Sequence, residues 1–295
     1  MTTNVVLVTT AFAICVADRR LSRPSGGVVS ERATKITNFQ CADAVGIITF
    51  NGIGRDLKGE TPNDWIAAET ELMRLKLDEM VERIKATTAQ KLAALGSDID
   101  KRHTFVIVGF QHMRPFTIMI SNYESLETEN NRLEAAPDLT IERRNDKVVF
   151  LITGVTPQRG RNVIAKIRAQ LQKRPPPSVL RSRFIKIIRD VAYHGKLTGS
   201  VGTNVQSSIL SPLGQFDNNG HVPGGSTVVE APNYLTPGAS YADIMIDTGP
   251  GPDGPSWTFN KVTKKAVLPE PPCKHCGNPV PKGQRRCGVC HKPAH

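Results

Sequence analysis

Two groups of residues in this chain combine types and spacings that can do chemistry. The first is at the start, Met1-Thr2-Thr3-Asn4-Val5-Val6-Leu7-Val8. A methionine before a small residue is a substrate for the aminopeptidase that trims nascent chains. Its removal leaves Thr2 with both a hydroxyl and the free α-amino group, a nucleophile and a base on one residue. The second group is at the other end. Cys273-Lys274-His275-Cys276 and Cys287-Gly288-Val289-Cys290 form C-x2-C-x10-C-x2-C. Two such pairs offer four thiolates on two tight turns, a donor set suited to a structural, tetrahedral Zn²⁺. His275, His291 and His295 are further nitrogen donors nearby and are read as surface residues. A module this short has little core of its own, so bound zinc would supply its folding free energy.

Between these ends, further polar residues follow Thr2 in a definite order. Ala17-Asp18-Arg19-Arg20 places Asp18 sixteen residues after Thr2. Lys35-Ile36 comes next, then the apolar run Val45-Gly46-Ile47-Ile48-Thr49-Phe50 and the turn Asn51-Gly52-Ile53-Gly54-Arg55-Asp56. This ordered set resembles the proteasome β-subunit family of N-terminal-nucleophile hydrolases. The resemblance is tightest over residues 2–56 and extends in element order to about residue 210. It implies four catalytic roles: Thr2 as nucleophile, Lys35 as a cation beside the hydroxyl and amine, Asp18 as the partner that fixes Lys35, and the Gly52 N–H as oxyanion donor. Arg20 matches a family arginine near the site.

The chain departs from the family pattern twice. Thr153-Gly154-Val155-Thr156 stands where a Gly-Ser-Gly turn is usual. Gly195-Lys196-Leu197-Thr198-Gly199 stands where Asp-x-x-Ser-Gly is usual, with glycine in place of the aspartate.

These residues need a scaffold. Residues 3–8 and 12–18 read as β-branched, apolar strands, and 19–33 as a polar loop. Brief strands follow near 34–36 and at 45–50. Thr61-Pro62-Asn63-Asp64 starts a helical segment by its hydroxyl cap, first-turn proline and acid three residues on. That segment carries Trp65, Leu72, Met73, Met80, Val81, Ile84 and Leu92 at helical spacing, with Gly96 as its stop. A strand pair is expected at 105–108 and 116–120, then a charged loop, then a further strand at 148–152. Helices are expected at 161–173 and 179–193, separated by Arg174-Pro175-Pro176-Pro177, and a strand at 201–210. The order predicts an α+β protein with helices packed outside antiparallel sheets. The resemblance implies its specific form, a four-layer αββα sandwich.

Three segments follow: a proteasome-like domain over 1–210, a Gly/Pro-rich extension and linker over 211–272, and a zinc ribbon over 273–295. At 295 residues the chain can bury a full core. Its apolar runs are of strand length and fall short of the ~20 residues of a membrane span. The N-terminus lacks the basic start of a signal peptide, so a cytoplasmic, non-membrane protein is expected. Cys15 and Cys41 are isolated and read as small buried hydrophobes.

The net charge of +11 is unevenly spread. Residues 151–189 hold ten Lys or Arg and no acid, and 261–295 hold eight against Glu270 alone. Solvated faces account for such runs more simply than nucleic acid does.

The reading is a threonine-type hydrolase that cleaves peptide or amide bonds through an acyl-threonine. The resemblance implies a homo-oligomer, a ring among the possible forms, and an ATPase or adaptor as partner. The competing reading is an inactive proteasome-like scaffold that binds protein or nucleic acid through the ribbon and the basic helices. For the ribbon, Cys273→Ser should abolish stoichiometric zinc in metal analysis of the purified protein; unchanged zinc content would refute the four-cysteine site.

Overall fold

A computed structural model describes residues 2–22, 28–56, 58–67, 74–97, 99–126, 134–154, 160–194 and 201–222, with short strand segments at 227–229, 246–247, 250–251 and 254–255. The Cys273–Cys290 motif and the Gly195–Gly199 segment lie outside these residues.

The chain opens with a hairpin, β1 (Thr3–Thr9) and β2 (Ala13–Asp18), followed by a second, small one, β3 (Leu21–Ser22) and β4 (Val28–Ser30). Next come β5 (Ile36–Gln40), β6 (Ala44–Gly52), α1 (Pro62–Ala67) and α2 (Leu77–Ala93). Then follow β7 (His103–Gln111), β8 (Arg114–Ser121), β9 (Thr140–Arg144) and β10 (Val148–Gly154). The helices α3 (Gly160–Leu171) and α4 (Pro177–His194) precede β11 (Val205–Leu210), β12 (Phe216–His221), β13 (Thr227–Val229) and β14 (Ile246–Asp247). One sheet has the order β10-β1-β2-β11-β12-β13-β14 and the other β5-β6-β7-β8-β9, with every pairing antiparallel.

The strand sequences explain the stacking. Antiparallel strands usually alternate apolar and polar residues, but here successive residues are apolar because both faces are covered. In β1, Val5 and Leu7 pack with Leu180, Phe184 and Ile188 of α4. Val6 and Val8 point the other way, into a seam shared with Ile47, Val106 and Met119 of the second sheet. In β7, Phe105 and Ile107 join Trp65, Met80 and Ile84 of α1 and α2, while Val106 and Val108 enter the inter-sheet seam. Three apolar seams thus separate helices, five-stranded sheet, seven-stranded sheet and helices. Ala13, Cys15 and Ala17 keep the first sheet's side of the middle seam thin. Cys15 is fully buried, and desolvation pushes its thiol pKa up to about 12.

Several elements differ from the sequence expectation. The helical segment after Thr61 is two helices, and Leu72 and Met73 lie outside the described residues. The expected polar loop at 19–33 contains the β3–β4 hairpin. The charged loop after β8 contains β9, an edge strand reading Thr-Ile-Glu-Arg-Arg. Charge on an edge strand blocks pairing with a further chain and also hides the strand from pattern reading. β12, Phe-Asp-Asn-Asn-Gly-His, extends the seven-stranded sheet although its composition reads as a turn. The β7–β8 hairpin turns on His112 and Met113, both at positive φ, a conformation usually signalled by Asn-Gly.

His103 begins β7 and is fully buried among Phe50, Trp65 and Phe105. Its ring nitrogens find no hydrogen-bond partner among the described residues, and burial pulls its pKa down to about 3. The folded state therefore holds it neutral while the unfolded chain takes up a proton below about pH 6.5. Stability from this residue is present above that pH and is lost as pH falls toward 3, by roughly 5 kcal/mol in all. Denaturant unfolding across pH 7 to 4 should show a steep acid limb that His103→Phe flattens; an equally steep limb in the variant would contradict this account.

Candidate active site

The polar residues singled out at the start of the sequence converge on one end of the stacked sheets. Thr2 immediately precedes β1, Asp18 ends β2, Lys35 immediately precedes β5 and Gly52 ends β6. Strand register places them there: Asn4 faces Ala17 across β1–β2, and Gly52 faces His103 across β6–β7. Two side chains tie the sheets together at this end. Asn4 Nδ2 donates to the Phe50 carbonyl at 3.1 Å. Gln206 Oε1, from β11, accepts the Lys35 and Ile36 backbone N–H groups at 3.0 and 3.1 Å.

Lys35 and Asp18 have no exposed side-chain surface. Lys35 Nζ lies 2.6 Å from Thr2 Oγ1 and 3.2 Å from Asp18 Oδ2, and it also donates to the Arg20 carbonyl. An ammonium has three donors, and three acceptors surround this one. Burial pulls the Lys35 pKa down, and the Asp18 charge acts against that shift.

Asp18 is held from several directions. Its Oδ1 accepts the Thr3 N–H at 2.9 Å. Its Oδ2 accepts the Arg20 and Gly202 N–H groups, each at 3.1 Å. Arg20 turns its guanidinium outward to Glu31, with Nε–Oε1 at 2.8 Å. Its side chain therefore flanks the site, and its backbone serves Asp18 and Lys35.

Glycine is required at two positions here. Gly52 has φ +101°, and a Cβ would come within 2.1 Å of the Arg102 carbonyl oxygen. Gly154 has φ +78°, and a Cβ would come within 2.0 Å of the Thr2 carbonyl oxygen. Thr153 is buried, and its Oγ1 lies 3.4 Å from Asn4 Nδ2. A cavity of about 420 Å³ lies near Asp100, Lys101 and Arg102, and none of Thr2, Asp18 or Lys35 lines it.

The structure thus gathers Thr2, Asp18 and Lys35 into one hydrogen-bonded cluster. It sets Gly52 at a turn with left-handed backbone at the same end of the sheets. Sequence reading missed Gln206, Asn51, Tyr123 and Glu124, each of which braces this end. Asn51 lies beside Gly52 in the quoted turn but its side chain had no role there, the other three sit in no motif, and all four act through hydrogen bonds to residues distant in sequence. Among the described residues no cluster of His, Cys, Asp or Glu could hold a metal ion. No described helix is long and apolar enough to cross a membrane.

The cluster predicts an order of stability effects. Asp18→Ala strands the Lys35 ammonium and three backbone N–H groups, and should cost about 3–5 kcal/mol. Lys35→Met leaves Asp18 with its backbone donors and should cost less. Denaturant midpoints check this, and an equal or reversed order would contradict the geometry.

No protein-family model and no curated protein matches the chain. Solved structures do. An Anbu mutant from Hyphomicrobium sp. strain MC1 aligns at 12% identity over 73% of this chain and 84% of its own, with a TM-score of 0.49. Anbu (ancestral β-subunit) from Yersinia bercovieri aligns at 11% identity over 71% of this chain and 81% of its own, with a TM-score of 0.51. At that identity the likeness concerns the fold alone: over 71% of its length the chain shares the proteasome-β-like plan of the ancestral β-subunit.

Proposed function

We propose that the protein is a threonine-type N-terminal-nucleophile hydrolase acting on peptide or amide bonds. The observation that carries this reading is the contact between Thr2 Oγ1 and a fully buried lysine that is itself paired with a buried aspartate. Burying two charges costs several kcal/mol per ion, and a cation beside a hydroxyl at the chain's start gives that cost a chemical use.

In the proposed reaction Met1 has been removed. The neutral α-amine of Thr2 takes the Oγ proton as Oγ attacks the substrate carbonyl. Lys35, as a cation, favours the neutral amine and the developing alkoxide. The Gly52 N–H donates to the oxyanion. The protonated amine then gives its proton to the departing amine, leaving an acyl ester on Thr2. Water, activated by the same amine, cleaves that ester and restores the hydroxyl. Asp18 does not exchange protons in this scheme; it holds Lys35 in place.

The fold likeness to an ancestral β-subunit is consistent with a homo-oligomeric assembly. The proposal adds a ring as its form, a peptide or protein substrate, and an ATPase or adaptor as partner. The four cysteines Cys273, Cys276, Cys287 and Cys290 supply a zinc ribbon that docks a protein partner. A second reading rests on one observation, the glycine at 195 where the family carries an aspartate. It makes the protein a catalytically lapsed scaffold that binds protein or nucleic acid through the ribbon and basic helices.

Labelling with a threonine-directed electrophile separates the two. The wild type should form one adduct on Thr2, and Thr2→Ala should form none. The labelling rate should rise with pH through the α-amine range, about 7.7–8.0 or somewhat below. Absence of a Thr2-dependent adduct in protein that begins at Thr2 would remove the hydrolase reading and leave the scaffold.

A further inference from the structure

The Thr2–Lys35–Asp18 cluster leaves one buried carboxylate near the site unused. Glu124 follows β8 and is only 6% exposed. Its Oε1 accepts the Gly154 N–H at 2.7 Å, and its Oε2 accepts Asn51 Nδ2 at 3.0 Å. Asn51 is gripped from its other end, where its Oδ1 accepts the Tyr123 hydroxyl at 2.8 Å. Glu124 is itself anchored, because its N–H and that of Tyr123 both donate to Ser121 Oγ, at 2.8 and 3.1 Å.

The two groups that Glu124 joins belong to different sheets. Gly154 ends β10 in the seven-stranded sheet, pairs with Thr3, and packs so tightly on Thr2 that a Cβ would overlap the Thr2 carbonyl. Asn51 lies in β6 of the five-stranded sheet, one residue before Gly52. One carboxylate therefore fastens the strand end that backs the nucleophile to the strand end that carries the oxyanion donor.

We infer that Glu124 is a positioning residue that sets the distance between Thr2 and the Gly52 N–H. The inference rests on the hydrolase reading of Thr2. Glu124 touches no reacting atom; it acts through Gly154 and Asn51. A charged acceptor gives both hydrogen bonds their strength, and together they fix two otherwise separate backbones. A displacement near 1 Å between nucleophile and oxyanion donor costs about a hundredfold in rate. Glu124→Gln keeps the size and one acceptor. It places an amide where the second acceptor was, facing the Asn51 amide, so it loosens the Asn51 side without opening a cavity.

The test is saturation kinetics of Thr2 labelling by a peptide electrophile, in the full-length protein, with thermal melting as a folding control. Glu124→Gln should lower the limiting labelling rate by about ten- to hundredfold while leaving the half-saturating concentration within about twofold. The pH midpoint of labelling should stay at its wild-type value, because the base is the α-amine. Tyr123→Phe, which removes the other brace on Asn51, should lower the limiting rate in the same sense by a smaller factor. A folded Glu124→Gln protein labelled at the wild-type rate, or one altered only in half-saturation or pH midpoint, overturns the inference and leaves the hydrolase reading intact. If Glu124→Gln does not fold, Tyr123→Phe decides alone, and an unchanged limiting rate there overturns the inference. A wild type that forms no Thr2 adduct overturns the hydrolase reading and this inference with it.

Discussion

A lysine with no exposed surface lies against an aspartate with no exposed surface, and the rest of the site is arranged around that pair. Neither charge could be buried alone. Effective desolvation costs several kcal/mol per ion, and attraction repays it only when the remaining donors and acceptors are also satisfied. Here the Lys35 ammonium meets Thr2, Asp18 and Arg20, and the Asp18 carboxylate meets the N–H groups of Thr3, Arg20 and Gly202. Lys35 leads into the five-stranded sheet, whereas Asp18 and its neighbours Thr2 and Thr3 belong to the seven-stranded one, and Arg20 and Gly202 come from the segments after β2 and before β11. The pair can exist only once the sheets have stacked, so assembly of the core and assembly of the site are one event.

This dependence explains why the middle seam is apolar and thin. The strands that stack there contribute mainly Val, Ala, Cys and Ile, with Ser208 of β11 donating to Asn38 of β5 at 3.1 Å within the stack. Gln206 and Asn4 bridge the sheets at the site end, fixing how far apart Lys35 and Thr2 lie. Rigid strands then present short loops and strand termini, where a site on a β-scaffold can be held to sub-ångström tolerance.

How much of this was legible in the sequence differs by element. The long apolar strands, the proline break before α4 and the helix start at Thr61 carry strong local signals, and the structure has them, with Pro177 opening α4 instead of belonging to the break. Strands β9 and β12 carried none, because Arg, Glu and Asn are poor strand formers by composition and are held there by neighbouring strands. The order Thr2, Asp18, Lys35 could be read because the chain keeps these residues in a recognisable spacing. Glu124, Asn51 and Gln206 could not, because each meets its partner only through pairing across tens of residues or more. The site is thus a mixture of a readable linear pattern and an unreadable three-dimensional brace.

In the proposed hydrolase, Thr2 acts with its own amine. That requires the mature protein to begin at Thr2, and intact-mass measurement of the purified protein tests it most directly. The account predicts a mass lower than the encoded chain by one methionine residue. A mature protein that retains Met1 would have an amide where the base should be, and would contradict the mechanism.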